Sequence, residues 1–172
     1  RIRSQNSDWI FSFAYVIERR GELFMSLARY ALLPIAIAQF VAPALPAFGV
    51  GETIGNRATN TGIPPELPLG IFFSIWGIVF TAYLATAILA IAKPDYVYDR
   101  IAGLLALTGL GNVVWMLSAQ CLGYSWLDFV LLWPILFFAW EAAYRLHEIG
   151  GFNGTGRRFL ICVVVGLLAG WL

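Results

Sequence analysis

The chain has 172 residues, of which 60% are hydrophobic and only 12% are charged, and its formal net charge is +1. Soluble domains are nearer half apolar and a quarter charged, so this composition indicates an integral membrane protein. The small net charge gives no indication of nucleic-acid binding.

The first 27 residues form a segment that differs from the rest of the chain. Residues 8–20 are apolar in the middle, too short to cross a bilayer, and end in Glu18, Arg19 and Arg20. This pattern predicts an amphipathic helix that lies in the membrane interface. An N-terminal extension of the first spanning helix is the alternative.

Residues 28–172 contain five apolar stretches, which predict an all-α bundle of five transmembrane helices. The predicted spans are about 27–48, 68–92, 101–120, 125–146 and 159–172. The last stretch covers only about 21 Å at roughly 1.5 Å per residue, so we expect that helix to continue beyond Leu172. The longest connection, 49–67, is either a lid over the bundle or a plain connector.

The basic residues are distributed asymmetrically between the two sides of the predicted bundle. Ten of the eleven Lys and Arg residues fall on the side of the N-terminus, and Arg57 alone falls on the other side. The positive-inside rule then places the N-terminus in the cytoplasm and the long connection outside. Ten Arg residues against one Lys favour a bacterial source, and hence a bacterial inner membrane, either cytoplasmic or photosynthetic.

Aromatic residues form a stripe on the second predicted helix. Phe72, Trp76, Phe80 and Tyr83 follow one another at spacings of four, four and three, which places all four rings on one helical face. A helix that only contacts lipid needs apolar side chains, and Leu or Ile would serve as well as aromatic rings. The stripe is therefore either a helix-packing surface or a wall that contacts a planar ligand.

The fourth helix carries a longer stripe of the same kind. Its six rings are Trp126, Phe129, Trp133, Phe137, Trp140 and Tyr144. The rings at the two ends are typical of the membrane interface, whereas Trp133 and Phe137 lie near the middle and need another explanation. We predict that these two rings contact the ligand.

The third helix supplies polar groups to the predicted bundle. Thr108, Asn112 and Trp115 share one face, with Asn112 near the membrane midplane. An Asn side chain is costly in hydrocarbon unless it hydrogen-bonds, either to another helix or to a ligand. Gln39 in the first span is expected to face protein for the same reason.

Several residue types argue against enzymatic chemistry and metal binding. His147 is the only histidine and lies at the membrane edge, and the sequence brings together no cluster of His, Cys and carboxylate groups. Glu141 and Arg145 are spaced for a local ion pair. Cys121 and Cys162 are predicted near opposite membrane faces, too far apart to form a disulfide.

Gly166 and Gly170 form a GxxxG pattern on the fifth helix. This pattern predicts close helix packing, either within the bundle or between protomers.

Four motifs together resemble the tryptophan-rich sensory protein (TspO/MBR) family, relatives of the mitochondrial translocator protein. They are PLGIFFSIWG in the second helix, LGNVVW in the third, LDFVLLW in the fourth and GLLAGW in the fifth. The resemblance covers roughly residues 28–172 and is nearest to a divergent FSIWG branch. Phe80 stands where better-studied members have tyrosine, and the tryptophan that precedes their Pro-Pro pair is absent before Pro64.

The resemblance implies a five-helix bundle that is often homodimeric and binds porphyrins or sterol-like ligands in a pocket under the first loop. Carried over by motif, the residues that line or support this pocket are Trp76, Phe80, Asn112, Trp115 and Trp133.

Two functions follow from these patterns. The first is a non-enzymatic membrane protein that binds a planar or elongated apolar ligand, such as a porphyrin or another tetrapyrrole, for sensing or transport. The second is a structural subunit of a larger membrane complex, such as a photosynthetic pigment–protein assembly, in which the aromatic stripes contact carotenoid, chlorophyll, lipid or a neighbouring helix. Residues 8–27 or the fifth helix would provide the contact with a partner, or with a second copy in a homodimer.

Overall fold

The computed structural model describes residues 27–54, 74–93, 96–123, 125–150 and 159–171. All regular structure in these residues is helical, and it forms five helices. They are α1 (Leu27–Phe48), α2 (Ser74–Ala92), α3 (Asp99–Cys121), α4 (Ser125–Glu148) and α5 (Phe159–Trp171). The predicted all-α class is confirmed. The predicted interfacial helix and most of the long connection lie outside the described residues.

Four helices, α1 to α4, are long and apolar enough to cross a membrane. The last four residues of α1, Leu45–Phe48, narrow to a 3-10 turn that begins beside Pro46 and ends at Gly49. Proline removes a backbone donor, and Gly49 adopts a left-handed conformation with φ of 80°, so the helix stops there. The chain is an integral membrane protein.

The helices contact one another in a closed ring. α3 packs extensively against α4, and α5 packs against both α2 and α4. On the other side, α1 contacts α2 through Phe40 and Phe80, and it contacts α3 where Ile35 and Gln39 lie beside Gly109. The order around the ring is therefore α1, α2, α5, α4 and α3.

The middle of the bundle is held together around Gly109 of α3. A Cβ at Gly109 would lie 2.6 Å from the Tyr83 hydroxyl, 2.7 Å from Cγ2 of Ile35 and 2.8 Å from Nε2 of Gln39. The Tyr83 hydroxyl donates a hydrogen bond of 2.8 Å to the carbonyl oxygen of Leu105. Three helices thus approach one another because one of them carries no side chain at the point where they meet.

Gln39 is fully buried, as predicted, yet both ends of its amide lack a hydrogen-bond partner among the described residues. The prediction that this side chain faces protein is confirmed.

The two ends of the ring differ in charge. Arg29 lies near the start of α1, Lys93 follows the end of α2, and Arg145 lies near the end of α4. Because successive helices run in opposite directions, these three cations lie at one end of the bundle. The segment after α1 and the end of α3 form the opposite end.

Candidate functional site

A cavity of about 180 Å³ lies at the end of the bundle where α1 ends, α2 begins and α3 ends. Three helices and the segment after α1 contribute to its wall. The lining residues are Pro43, Ile54, Trp76, Phe80, Asn112, Trp115, Met116 and Gln120. This is the end of the bundle at which the chain leaves α1.

Aromatic rings from α2 form one wall of the cavity. The rings of Trp76 and Phe80 are 5.6 Å apart with an interplanar angle of 39°, and Phe40 of α1 packs edge-on against Phe80 at 6.0 Å. Phe80 is buried and Trp76 is half-buried. Such contacts fix ring orientation, so this wall is an apolar aromatic surface of defined geometry.

The α3 wall carries polar groups that are buried without partners. Asn112 is 1% exposed, and neither its amide nitrogen nor its amide oxygen makes a hydrogen bond to any described residue. The indole nitrogen of Trp115 is also buried and unpaired among the described residues. Buried polar groups are nearly always hydrogen-bonded in proteins, so we expect these three atoms to bind a group that is not among the described residues.

The segment after α1 is attached to the end of α3, which positions the top of the cavity. The backbone N–H of Glu52 donates a hydrogen bond of 3.0 Å to the carbonyl oxygen of Gln120. Gly51 has a φ of 73°, and a Cβ there would lie 2.7 Å from the same oxygen. Only glycine allows this approach without a shift, and the approach brings Ile54 to the cavity wall.

The structure brings together four of the eight residues predicted to bind a ligand. Trp76, Phe80, Asn112 and Trp115 all line the cavity. Tyr83 shares the inward face of α2 but lies one turn deeper, where it binds α3 and does not line the cavity. Phe72 lies outside the described residues.

The prediction that Trp133 and Phe137 contact the same ligand does not agree with their position. They are 61% and 63% exposed on the outer face of α4, away from the cavity. All six rings of the α4 stripe share this face and are between 60% and 72% exposed. The reason is that the opposite face carries Ile135, Ala139 and Ala142, whose small or compact side chains allow close packing in the bundle.

Two residues of α3 that line the cavity were not among the predicted ligand-binding residues. Met116 and Gln120 follow Asn112 by four and eight residues, so they share its helical face. The same periodicity that grouped Thr108, Asn112 and Trp115 could have found them. Pro43 and Ile54 carried no comparable signal.

Of the two predicted roles of Gly166 and Gly170, packing within the bundle does not occur among the described residues, and packing between protomers stays a prediction. Both glycines are exposed, and a Cβ at either position would meet nothing within 4 Å. They occupy the outer face of α5, because Ile161, Val164 and Leu168 fill its inner face.

The ion pair, the cysteines and the histidine lie outside the cavity. Arg145 donates to Glu141 at 2.7 Å, which confirms the predicted ion pair. Cys121 and Cys162 form no disulfide bond with each other. His147 is exposed, and the described residues contain no group of three or more side chains that could hold a metal ion.

The fold and the site together define a helical membrane protein with an aromatic cavity at one end of its bundle. Comparison of the chain with protein-family models, with curated proteins and with solved structures found no match.

Proposed function

We propose that this protein binds a planar or elongated apolar ligand in the cavity between α1, α2 and α3 and acts in sensing or transport. The observation that carries the proposal is the meeting of Trp76, Phe80, Asn112 and Trp115 around one cavity. An apolar wall with a few polar groups is the usual composition of small-molecule sites. A tetrapyrrole or a sterol-like molecule has the flat apolar surface that the α2 rings complement.

The cavity volume limits how much of such a ligand the described residues enclose. Sites for drug-sized molecules have volumes of roughly 300–1,000 Å³, whereas an engineered cavity of about 150 Å³ holds benzene. At about 180 Å³, the cavity holds one or two fused rings. A porphyrin or sterol would therefore insert one end, and the remainder would extend past the described lining.

The resemblance to the tryptophan-rich sensory protein family favours the same proposal, because the cavity lies at the end of the bundle where α1 ends and Ile54 of the following segment contributes to its wall. The excess of basic residues at the other end orients the cavity toward the outside of a bacterial inner membrane. In this orientation the ligand enters from the external leaflet. We propose no catalytic role.

The test is a pair of matched tryptophan variants. Binding of protoporphyrin IX and of cholesterol is measured by equilibrium dialysis against purified protein in lipid nanodiscs, with empty nanodiscs as the blank. Trp76→Ala removes a cavity wall and is expected to weaken binding of the true ligand class about tenfold or more, whereas Trp133→Ala on the outer face leaves it unchanged. Equal affinities of wild type and Trp76→Ala for every ligand that binds would contradict the proposal.

A second candidate function rests on a different observation, the exposed six-ring stripe of α4. Rings large enough to pack against carotenoid, chlorophyll or a neighbouring helix along the whole of α4 suit a structural subunit of a larger membrane complex, such as a pigment–protein assembly. Size-exclusion of natively expressed protein, with absorbance recorded into the near infrared, tests this function. Elution at several times the mass of a dimer together with pigment favours it.

The stripe itself is tested by the double variant Trp133→Leu with Phe137→Leu. Leucine keeps the surface compatible with lipid but removes the rings, so the variant is expected to leave the complex if the stripe holds the partner. Ile78→Ala is the control, because Ile78 is similarly exposed at 58% on α2. A complex of unchanged size in the double variant would exclude the stripe as the contact.

A further inference from the structure

Two polar residues of the cavity wall, Asn112 and Trp115, lie below the end of the bundle, whereas a third, Gln120, lies close to that end. Asn112 precedes the last residue of α3 by nine residues and Trp115 by six. At about 1.5 Å per residue, these side chains start roughly 13 Å and 9 Å below the end of the helix. A ligand group that contacts both is therefore surrounded by protein and lipid, away from bulk water.

The hydrogen-bonding capacity of these groups defines what they can bind. The Asn112 amide offers donors on its nitrogen and an acceptor on its oxygen, and the Trp115 indole nitrogen offers one donor. All three atoms are buried without a partner among the described residues. A ligand group that satisfies them must both accept and donate a hydrogen bond.

The electrostatics of the cavity determine the charge of that group. None of the eight lining residues carries a charge. A carboxylate at the depth of Asn112 would lose its hydration without gaining a cation from the described lining, which is costly in a medium of low dielectric constant. A carboxylate also has no proton to donate to the Asn112 oxygen.

We infer that the cavity selects ligands whose inserted end carries a neutral group with both a donor and an acceptor, such as a hydroxyl or a lactam, and rejects those that insert a carboxylate. The inference rests on the proposed binding function and specifies its chemistry. It implies that a porphyrin would keep its propionates outside and that Asn112 and Trp115 recognise a different part of the molecule.

Three bicyclic probes of nearly equal size test this selectivity at pH 7: 2-naphthol, 2-naphthoate and naphthalene. Their affinities are measured on the protein in nanodiscs of zwitterionic lipid, with empty nanodiscs subtracted. 2-Naphthol is expected to bind at least about tenfold more tightly than 2-naphthoate, because only the former is neutral and can both donate and accept. Equal or tighter binding of 2-naphthoate overturns the inference.

Two variants then assign the selectivity to residues. Trp115→Phe keeps a ring but removes the donor, and Asn112→Leu keeps the approximate volume but removes the amide. Each is expected to lower the affinity for 2-naphthol about fivefold to tenfold and to leave that for naphthalene unchanged. Thr86→Val is the control, because Thr86 is buried and its hydroxyl is unpaired among the described residues, yet it does not line the cavity.

The outcomes separate this inference from the proposal on which it depends. If 2-naphthol and naphthalene bind equally in wild type, or if both variants bind 2-naphthol as wild type does, the cavity binds apolar ligands without the predicted recognition. If none of the three probes binds above the nanodisc blank, the inference and the proposed cavity function are both overturned.

Discussion

At the scale of single residues, the bundle depends on where side chains are absent as much as on where they are present. Gly109 lies where α1, α2 and α3 meet, and three side chains occupy the space that its Cβ would need. Gly103 lies on the same helix, but a Cβ there meets nothing within 4 Å. The two glycines therefore provide a matched comparison between a glycine required by packing and one that is not.

We expect Gly109→Ala to destabilise the protein by about 1–3 kcal/mol, as overpacking of a core does. Neither the β-branched Ile35 nor the hydrogen-bonded Tyr83 can move freely. Gly103→Ala should be neutral or stabilising by up to about 1 kcal/mol, because alanine favours helix. Equilibrium unfolding in mixed detergent micelles measures both, and equal effects of the two substitutions would contradict this account of α3.

At the scale of helices, the sequence predicted the inward face of α2 and misassigned that of α4. Both carry an aromatic stripe, but Phe80 and Tyr83 point into the bundle, whereas the α4 rings point outward. In a membrane, lipid and protein interior are equally apolar, so hydrophobicity does not distinguish the two faces of a helix. The small residues Ala139 and Ala142 do indicate the buried face of α4, since close helix packing requires them.

Other features of the site could not be predicted from the residue pattern of any single helix. The periodicity of α3 placed Asn112 and Trp115 on one face, but the absence of an interhelical partner for Asn112 emerges only once the neighbouring helices are in place. The attachment of the 51–54 segment to the end of α3 depends on a contact distant in sequence, between Glu52 and Gln120. Sequence periodicity carries no information about such a contact.

A hydrogen bond between side chains joins α3 to α4. The Ser118 hydroxyl donates a hydrogen bond of 2.8 Å to the Asp128 carboxylate, in a partly buried position. Asp128→Ala removes a charged acceptor and leaves the hydroxyl unpaired, which we expect to cost about 1–2 kcal/mol of unfolding free energy. Unfolding followed by tryptophan fluorescence measures the loss.

Arg145→Ala serves as the control for this prediction. It breaks the Glu141–Arg145 pair, in which both side chains are about a third or more exposed, and exposed pairs at this spacing contribute about 0.5 kcal/mol or less. A larger loss for Arg145→Ala than for Asp128→Ala would show that the hydrogen bond between α3 and α4 is not an important contact.

At the scale of the whole molecule, the ring of five helices has a basic end and an end that holds the cavity. The positive-inside rule predicts that the basic end faces the cytoplasm, so we expect the cavity to face outward. Cys121 is an exposed thiol at the cavity end and reports on this orientation.

In sealed spheroplasts, a membrane-impermeant maleimide should label Cys121 in a Cys162→Ala variant without prior lysis. The variant that lacks both thiols, Cys121→Ser with Cys162→Ala, gives the background. If Cys121 is labelled only after lysis, the predicted orientation is wrong. The cavity would then face the cytoplasm, and the ligand would enter from the cytoplasmic leaflet.

The central claim is that ligand binds inside the cavity and not along the aromatic stripe of α4. Photoaffinity labelling with a diazirine-bearing sterol and a diazirine-bearing naphthol, followed by mass spectrometry of the modified peptides, tests it without any substitution. The account predicts that adducts fall within 74–80 of α2 and 112–120 of α3 and are lost when unlabelled ligand competes. Competable adducts confined to the outer face of α4, at Trp133 and its neighbouring rings, would contradict it.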